Sequence, residues 1–119
     1  MKKLIVNADD FGLAEHINNG IIKCFSHGIV TSTSIMANGK AFEHAVSLSK
    51  KNSALSVGIH LVLVEEKPIL AGKKISSLLS KDNKFHKNYK KFLLQFLLGR
   101  IKRNEIENEF REQIEKVLS

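Results

Sequence analysis

Two adjacent carboxylates, Asp9 and Asp10, stand in the segment Asn7-Ala8-Asp9-Asp10-Phe11-Gly12, directly behind the apolar run Leu4-Ile5-Val6. Neighbouring strand residues point to opposite faces, so both acids reach one site only if the chain leaves strand register, and a turn at Gly12 would allow this. Like charges held side by side repel, a cost that a bound cation removes. The bland alternative is a cap, because an Asp before a helix often satisfies the amides of its first turn. His60, between Ile59 and Leu61, is the second candidate. A lone imidazole in an apolar strand is either a hydrogen-bonded core residue or a ligand. Asp with His is a usual ligand combination for Zn²⁺ and similar ions, although two protein ligands are fewer than a catalytic zinc site normally uses.

The remaining imidazoles have other readings. His27, beside Gly28, suits a helix C-terminus, where the dipole favours a cation. His44 falls on a helix opposite the expected site, and His86 falls in a lysine-rich loop. Only His16 lies near Asp10 in sequence.

The elements that would position these groups follow from apolar spacing. Lys3 to Ala8 reads as a buried parallel strand, Ile29 to Ala37 as a second and Leu55 to Val64 as a third. Between them, Ile17, Ile21, Cys24 and Phe25 mark one face of a helix ending at Gly28, and Ala41, Ala45 and Leu48 mark a helix to about Lys51. Strand alternating with helix implies βαβ units and a parallel sheet, whose site forms at the carboxyl ends of the strands. After Pro68 the texture changes: Tyr89, Phe92, Leu93, Phe96 and Leu97 predict a helix that breaks near Gly99, and Ile106, Phe110, Ile114, Val117 and Leu118 predict another. No strand is expected after residue 70.

Composition narrows the function classes. With 119 residues, 43% apolar and 26% charged, the chain has the make-up of one small globular domain. One cysteine, Cys24, excludes an internal disulfide framework and fits a reducing, cytoplasmic setting. No apolar run has the length of a signal peptide core or a membrane span. The net charge of +7 is uneven, since residues 1–70 hold seven Lys/Arg against six Asp/Glu and residues 71–119 hold twelve against six. Lys73, Lys74, Lys81, Lys84, Lys87, Lys90 and Lys91 could attract phosphate or an anionic surface. Without interleaved arginine and aromatic residues, a solvated face is the expectation and nucleic acid is not an expected partner.

The segment from Asn7 to Gly12 resembles the start of the YdjC-like carbohydrate deacetylases, which include chito-oligosaccharide deacetylases and hopanoid-associated HpnK-type proteins. Asn18 with Gly20-Ile21, Gly28-Ile29-Val30-Thr31-Ser32-Thr33, Asn38-Gly39, Gly58-Ile59-His60-Leu61-Val62-Leu63 and Lys67-Pro68 agree with it. The likeness is dense over residues 4–68, loose over 69–104, and returns weakly at Glu109-Phe110 and Gln113-Ile114.

The resemblance implies an α/β fold of parallel βαβ units, TIM-barrel-like and incomplete here, residues 1–119 being the N-terminal part of one deacetylase domain. It also implies removal of acetyl groups from an N-acetylated oligosaccharide or amino sugar, with a divalent ion, Mg²⁺ or Zn²⁺, held by the second Asp and two His. Those positions match Asp10 and His60, and the other His is expected beyond Ser119. Asp9 is then the candidate general base, since a carboxylate beside a metal can take a proton from water. Alone, the chain is expected to be inactive and to bind metal weakly, with an exposed sheet edge that favours a partner, possible self-association included. The alternative is a non-catalytic binding or assembly module derived from that fold.

Overall fold

The computed structural model describes residues 1–70 and 72–119, which divide into two compact units, residues 1–60 and 61–119.

The first unit is a parallel three-stranded sheet with two helices. Strand β1 (Asn7–Phe11) leads to α1 (Glu15–His27), β2 (Ser32–Ile35), α2 (Phe42–Lys51) and β3 (Ser56–Ile59). The sheet order is β1-β2-β3 with both pairings parallel, as the βαβ reading requires. Phe11, Ile21, Ile35, Ala41, Phe42, Ala45 and Leu55 are buried and give this unit its core.

Strands β2 and β3 are shorter than expected, and β1 begins only after its apolar run. Leu4 and Ile5 were expected inside β1, yet they precede it and are 78% and 77% exposed. Two amides, Thr31 N–H and Ser32 N–H, converge on the Val6 carbonyl at 2.9 and 3.2 Å. This sharing breaks the even spacing of a parallel ladder, so regular pairing starts only at Asn7 opposite Ser32. Cys24, placed by spacing on the buried face of α1, is exposed.

Two close approaches fix the loops that follow β1 and β2. Met36 N–H donates to the Phe11 carbonyl at 2.7 Å, and Ala41 N–H donates to the Gly12 carbonyl at 2.8 Å. Gly12 has a φ of +103°, a region open to glycine. A β-carbon on Gly39 would lie 2.2 Å from the Gly12 carbonyl oxygen, so only glycine fits the crossing of these loops.

The second unit has 3₁₀ turns at Gly72–Lys74 and Ser76–Leu78, then α3 (Tyr89–Leu97) and α4 (Arg103–Leu118). The end of α3 near Gly99, whose φ is +67°, follows the expected break. Only isolated bridges, Val64 with His86 and Leu79 with Phe85, occur after β3 among the described residues. Ile75, Leu78, Phe85 and Ile101 form the buried cluster of this unit.

Helix α4 departs from its expected mode of burial. Its buried row is Glu105, Glu109 and Gln113, whereas Leu118 is 76% exposed. The polar side chains satisfy loop backbone: Glu109 accepts from Ile69 and Leu70 N–H at 2.9 and 3.0 Å, and Gln113 accepts from Val62 N–H at 2.9 Å and donates to its carbonyl at 2.8 Å. Glu105 accepts from both the amide and the hydroxyl of Ser77 at 2.8 Å. These bonds, charge-assisted where a glutamate accepts, replace the water that irregular backbone would otherwise need.

Two glycines give opposite expectations. Gly39→Ala should destabilise the chain by about 2 kcal/mol or more through the backbone clash. Gly20→Ala, in the interior of α1 with open space at the added carbon, should stabilise it by about 0.5–1 kcal/mol. Urea unfolding of both variants checks the pair, and equal midpoints would contradict the loop crossing.

Candidate functional site

The carboxyl end of β1 is bulged. Ala8 pairs with Thr33 and Phe11 with Ile35, so three steps along β1 face two along β2. The extra residue is absorbed where Asp10 adopts a φ of +66°. The break in alternation therefore lies at the acids themselves, ahead of Gly12, where the sequence reading placed it. Left-handed backbone is less costly for Asp than for most non-glycine residues.

Neither acid caps α1. Its N-cap position is Ala14, with no side-chain bond to the helix. Asp9 is exposed, and its Oδ1 accepts from Asn7 Nδ2 at 2.8 Å. The same amide nitrogen donates to Ser34 Oγ at 2.9 Å, and Asn7 Oδ1 accepts from Ser32 Oγ at 2.7 Å. Asn7 thus ties Asp9 to the side chains of β2.

Asp10 and His60 meet. His60 directly follows β3, with its N–H donating to the Ile35 carbonyl at 2.9 Å. Its Nδ1 stands 3.5 Å from Asp10 Oδ1, while the two side chains remain 31% and 49% exposed. That is ion-pair range but not a hydrogen bond, and His60 Nδ1 is a buried atom with no hydrogen-bond partner. Two donors held about 2.1 Å from one ion at a tetrahedral angle would stand roughly 3.4 Å apart. The spacing and the chemistry of this donor pair therefore fit a shared divalent cation. No group of three or more His, Cys, Asp or Glu suited to a metal occurs among the described residues.

Asn18 positions this end of the sheet. It is fully buried, its Oδ1 accepts from Gly12 N–H at 2.6 Å, and its Nδ2 donates to the Ala41 carbonyl at 3.1 Å. The same nitrogen lies 3.1 Å from His44 Nδ1, so His44 adjoins the brace of the β1 loop. Thr33, also fully buried, donates through its hydroxyl to the Ala8 carbonyl at 2.6 Å. His16 and His27 are exposed on α1. His86 is buried, where a solvated loop had been expected. Spacing gave no role to Asn7 or Asn18; an asparagine beside a turn, able to bond both ways with backbone, is the signal that could have found Asn18.

The profile of the YdjC-like proteins matches residues 3–119. The chain belongs to the YdjC-like family. Among relatives of this YdjC-like chain, a carbohydrate deacetylase from Clostridium beijerinckii is 46% identical over 117 residues, covering 98% of this chain and 44% of the relative. One from Listeria monocytogenes is 40% identical over 116 residues, covering 98% and 46%. A crystal structure from Enterococcus faecalis, of a protein provisionally described as a cellobiose-phosphate cleavage protein, aligns with a TM-score of 0.85 at 31% identity. It covers 97% of this chain and 43% of that one. The YdjC-like chain thus spans about half the length of the curated relatives it matches, and its parallel βαβ units are part of a TIM-barrel-like fold.

Asn18→Ala should cost about 1–3 kcal/mol, because it leaves the Gly12 amide unpaired inside the protein and removes one of two donors from the Ala41 carbonyl, which keeps Ala45 N–H at 3.0 Å. Chemical denaturation measures this; a loss below about 0.5 kcal/mol would show that water replaces the amide and that Asn18 is no brace.

Proposed function

We propose that this chain carries part of the active site of a metal-dependent carbohydrate deacetylase that hydrolyses the amide of an N-acetylated sugar. The observation that carries the reading is the approach of Asp10 Oδ1 and His60 Nδ1 to 3.5 Å in a chain whose relatives bear the name carbohydrate deacetylase. Asp10 and His60 are the proposed ligands of a divalent ion, Zn²⁺ or Mg²⁺, and a third ligand is to be supplied from outside the residues described. When bound, such an ion would supply Lewis-acid polarisation of the acetyl carbonyl, and zinc in particular would make water acidic enough to ionise near neutral pH.

The chain's own groups have separate tasks in this reading. Asp9, oriented by Asn7, accepts the proton of the attacking water and can return it to the leaving amine. Asp10 and His60, on different strand ends, hold their donor atoms in place through the backbone of the sheet. The exposure of both side chains leaves access for a substrate as large as an oligosaccharide. Residues 1–119 by themselves are then weak metal binders without appreciable turnover.

In the polypeptide of the relatives' length, Asp9→Asn should retain the metal and lose about 10²- to 10⁴-fold in turnover. Asp10→Asn and His60→Gln should lose metal and activity together. Acetate release from chito-oligosaccharides, with metal content measured on the same samples, tests the assignment. Near-normal turnover by Asp9→Asn removes the base, and vigorous hydrolysis by residues 1–119 contradicts the need for a further ligand.

A further inference from the structure

The lysine-rich stretch has no part in the proposed hydrolysis, yet it builds a cleft. Ser80, Lys81, Asp82, His86, Lys87 and Lys91 line a volume of about 420 Å³, a size suited to a small molecule. Three lysines and a single aspartate are among its lining residues. Ser80 Oγ donates to Asp82 Oδ1 and holds that carboxyl below its ordinary range, so it stays ionised and sets an upper limit on the negative charge the cleft accepts.

His86 separates this cleft from a merely charged surface. The residue is only 8% exposed and still lines the cavity. Its backbone carbonyl accepts from Glu65 N–H at 3.1 Å, which fixes the main chain of this cleft-lining residue. Burial first, and the Lys91 ammonium second, push the imidazole below its ordinary value. At neutral pH the ring is therefore uncharged and offers one N–H. The N-terminus of α3, capped by Asn88 accepting from Lys90 N–H at 2.8 Å, adds a favourable dipole at the same place.

We propose that this cleft binds the phosphoryl group of a small phosphate monoester, with Lys81, Lys87 and Lys91 supplying charge and the His86 ring supplying a directed hydrogen bond. Lysines serve as point-charge partners for phosphate, and the three of them against Asp82 balance a dianion better than a longer polyanion. A soluble phosphate monoester and a phospholipid headgroup share this chemistry.

The test follows the ¹⁵N signals of the His86 ring in the full chain. Inorganic phosphate and glycerol phosphate are titrated at constant ionic strength, alongside vesicles of phosphatidylcholine with and without phosphatidic acid. Saturable movement of the ring signal is expected, weakened at least about tenfold by Lys91→Met or Lys87→Met. Lys50→Met, which removes one charge at the end of α2, should change nothing. A response to phosphatidic acid vesicles alone, lost in Lys91→Met, assigns the phosphoryl group to a lipid. An unmoved His86 signal with every probe, or equal weakening by Lys91→Met and Lys50→Met, overturns the site.

Discussion

A residue held in left-handed backbone inside a strand costs on the order of 1 kcal/mol or more unless its neighbours fix it, and the end of β1 is organised around Asp10 at a φ of +66°. The fixing is local and complete. Phe11, with no exposed surface, anchors the chain immediately after the bulge. The Asp10 carbonyl accepts from Leu13 N–H at 3.0 Å, the Phe11 carbonyl accepts from Met36 N–H, and Asn18 takes the Gly12 amide. Remove the bulge and Asp10 returns to strict alternation. Its carboxylate would then no longer be set by the same backbone that now brings it to His60.

The second unit solves a different problem by similar means. Residues 61–70 are irregular but for one isolated bridge at Val64, and the amides of Val62, Ile69 and Leu70 need partners away from water. Helix α4 supplies them from Glu109 and Gln113, which with Glu105 are spaced four residues apart and so on one face. In both units, buried polar side chains hold loop backbone in place, with Asn18 in the first and this row in the second. Their apolar cores give each unit cohesion, and the hydrogen bonds specify which loop conformation is adopted.

Periodicity in the sequence was enough to read the βαβ order, the parallel sheet and both later helices, whereas the pairing of Asp10 with His60 was legible only through the resemblance to the YdjC-like proteins. Strand limits were not readable, because Leu4-Ile5 and Ile29 look like strand yet lie outside the ladder that Val6 interrupts. The bulge was also hidden: no residue-type rule announces a left-handed Asp in place of a glycine turn. The burial of α4 through carboxylates ran against the apolar pattern of Ile106, Phe110 and Ile114, since those residues are only half-buried. His86 was concealed in the same way, as its lysine-rich context suggested solvent whereas Val64 and Phe85 bring its segment inside.

The central claim is that the bulged end of β1 and the residue after β3 form two corners of one cation site. Anomalous diffraction from crystals soaked in excess Co²⁺ or Zn²⁺ tests it without reference to turnover. The account predicts a single peak about 2.1 Å from both Asp10 Oδ1 and His60 Nδ1, with Asp10 still left-handed. A cation bound elsewhere, with the gap between these two atoms closed by a direct hydrogen bond, would contradict it.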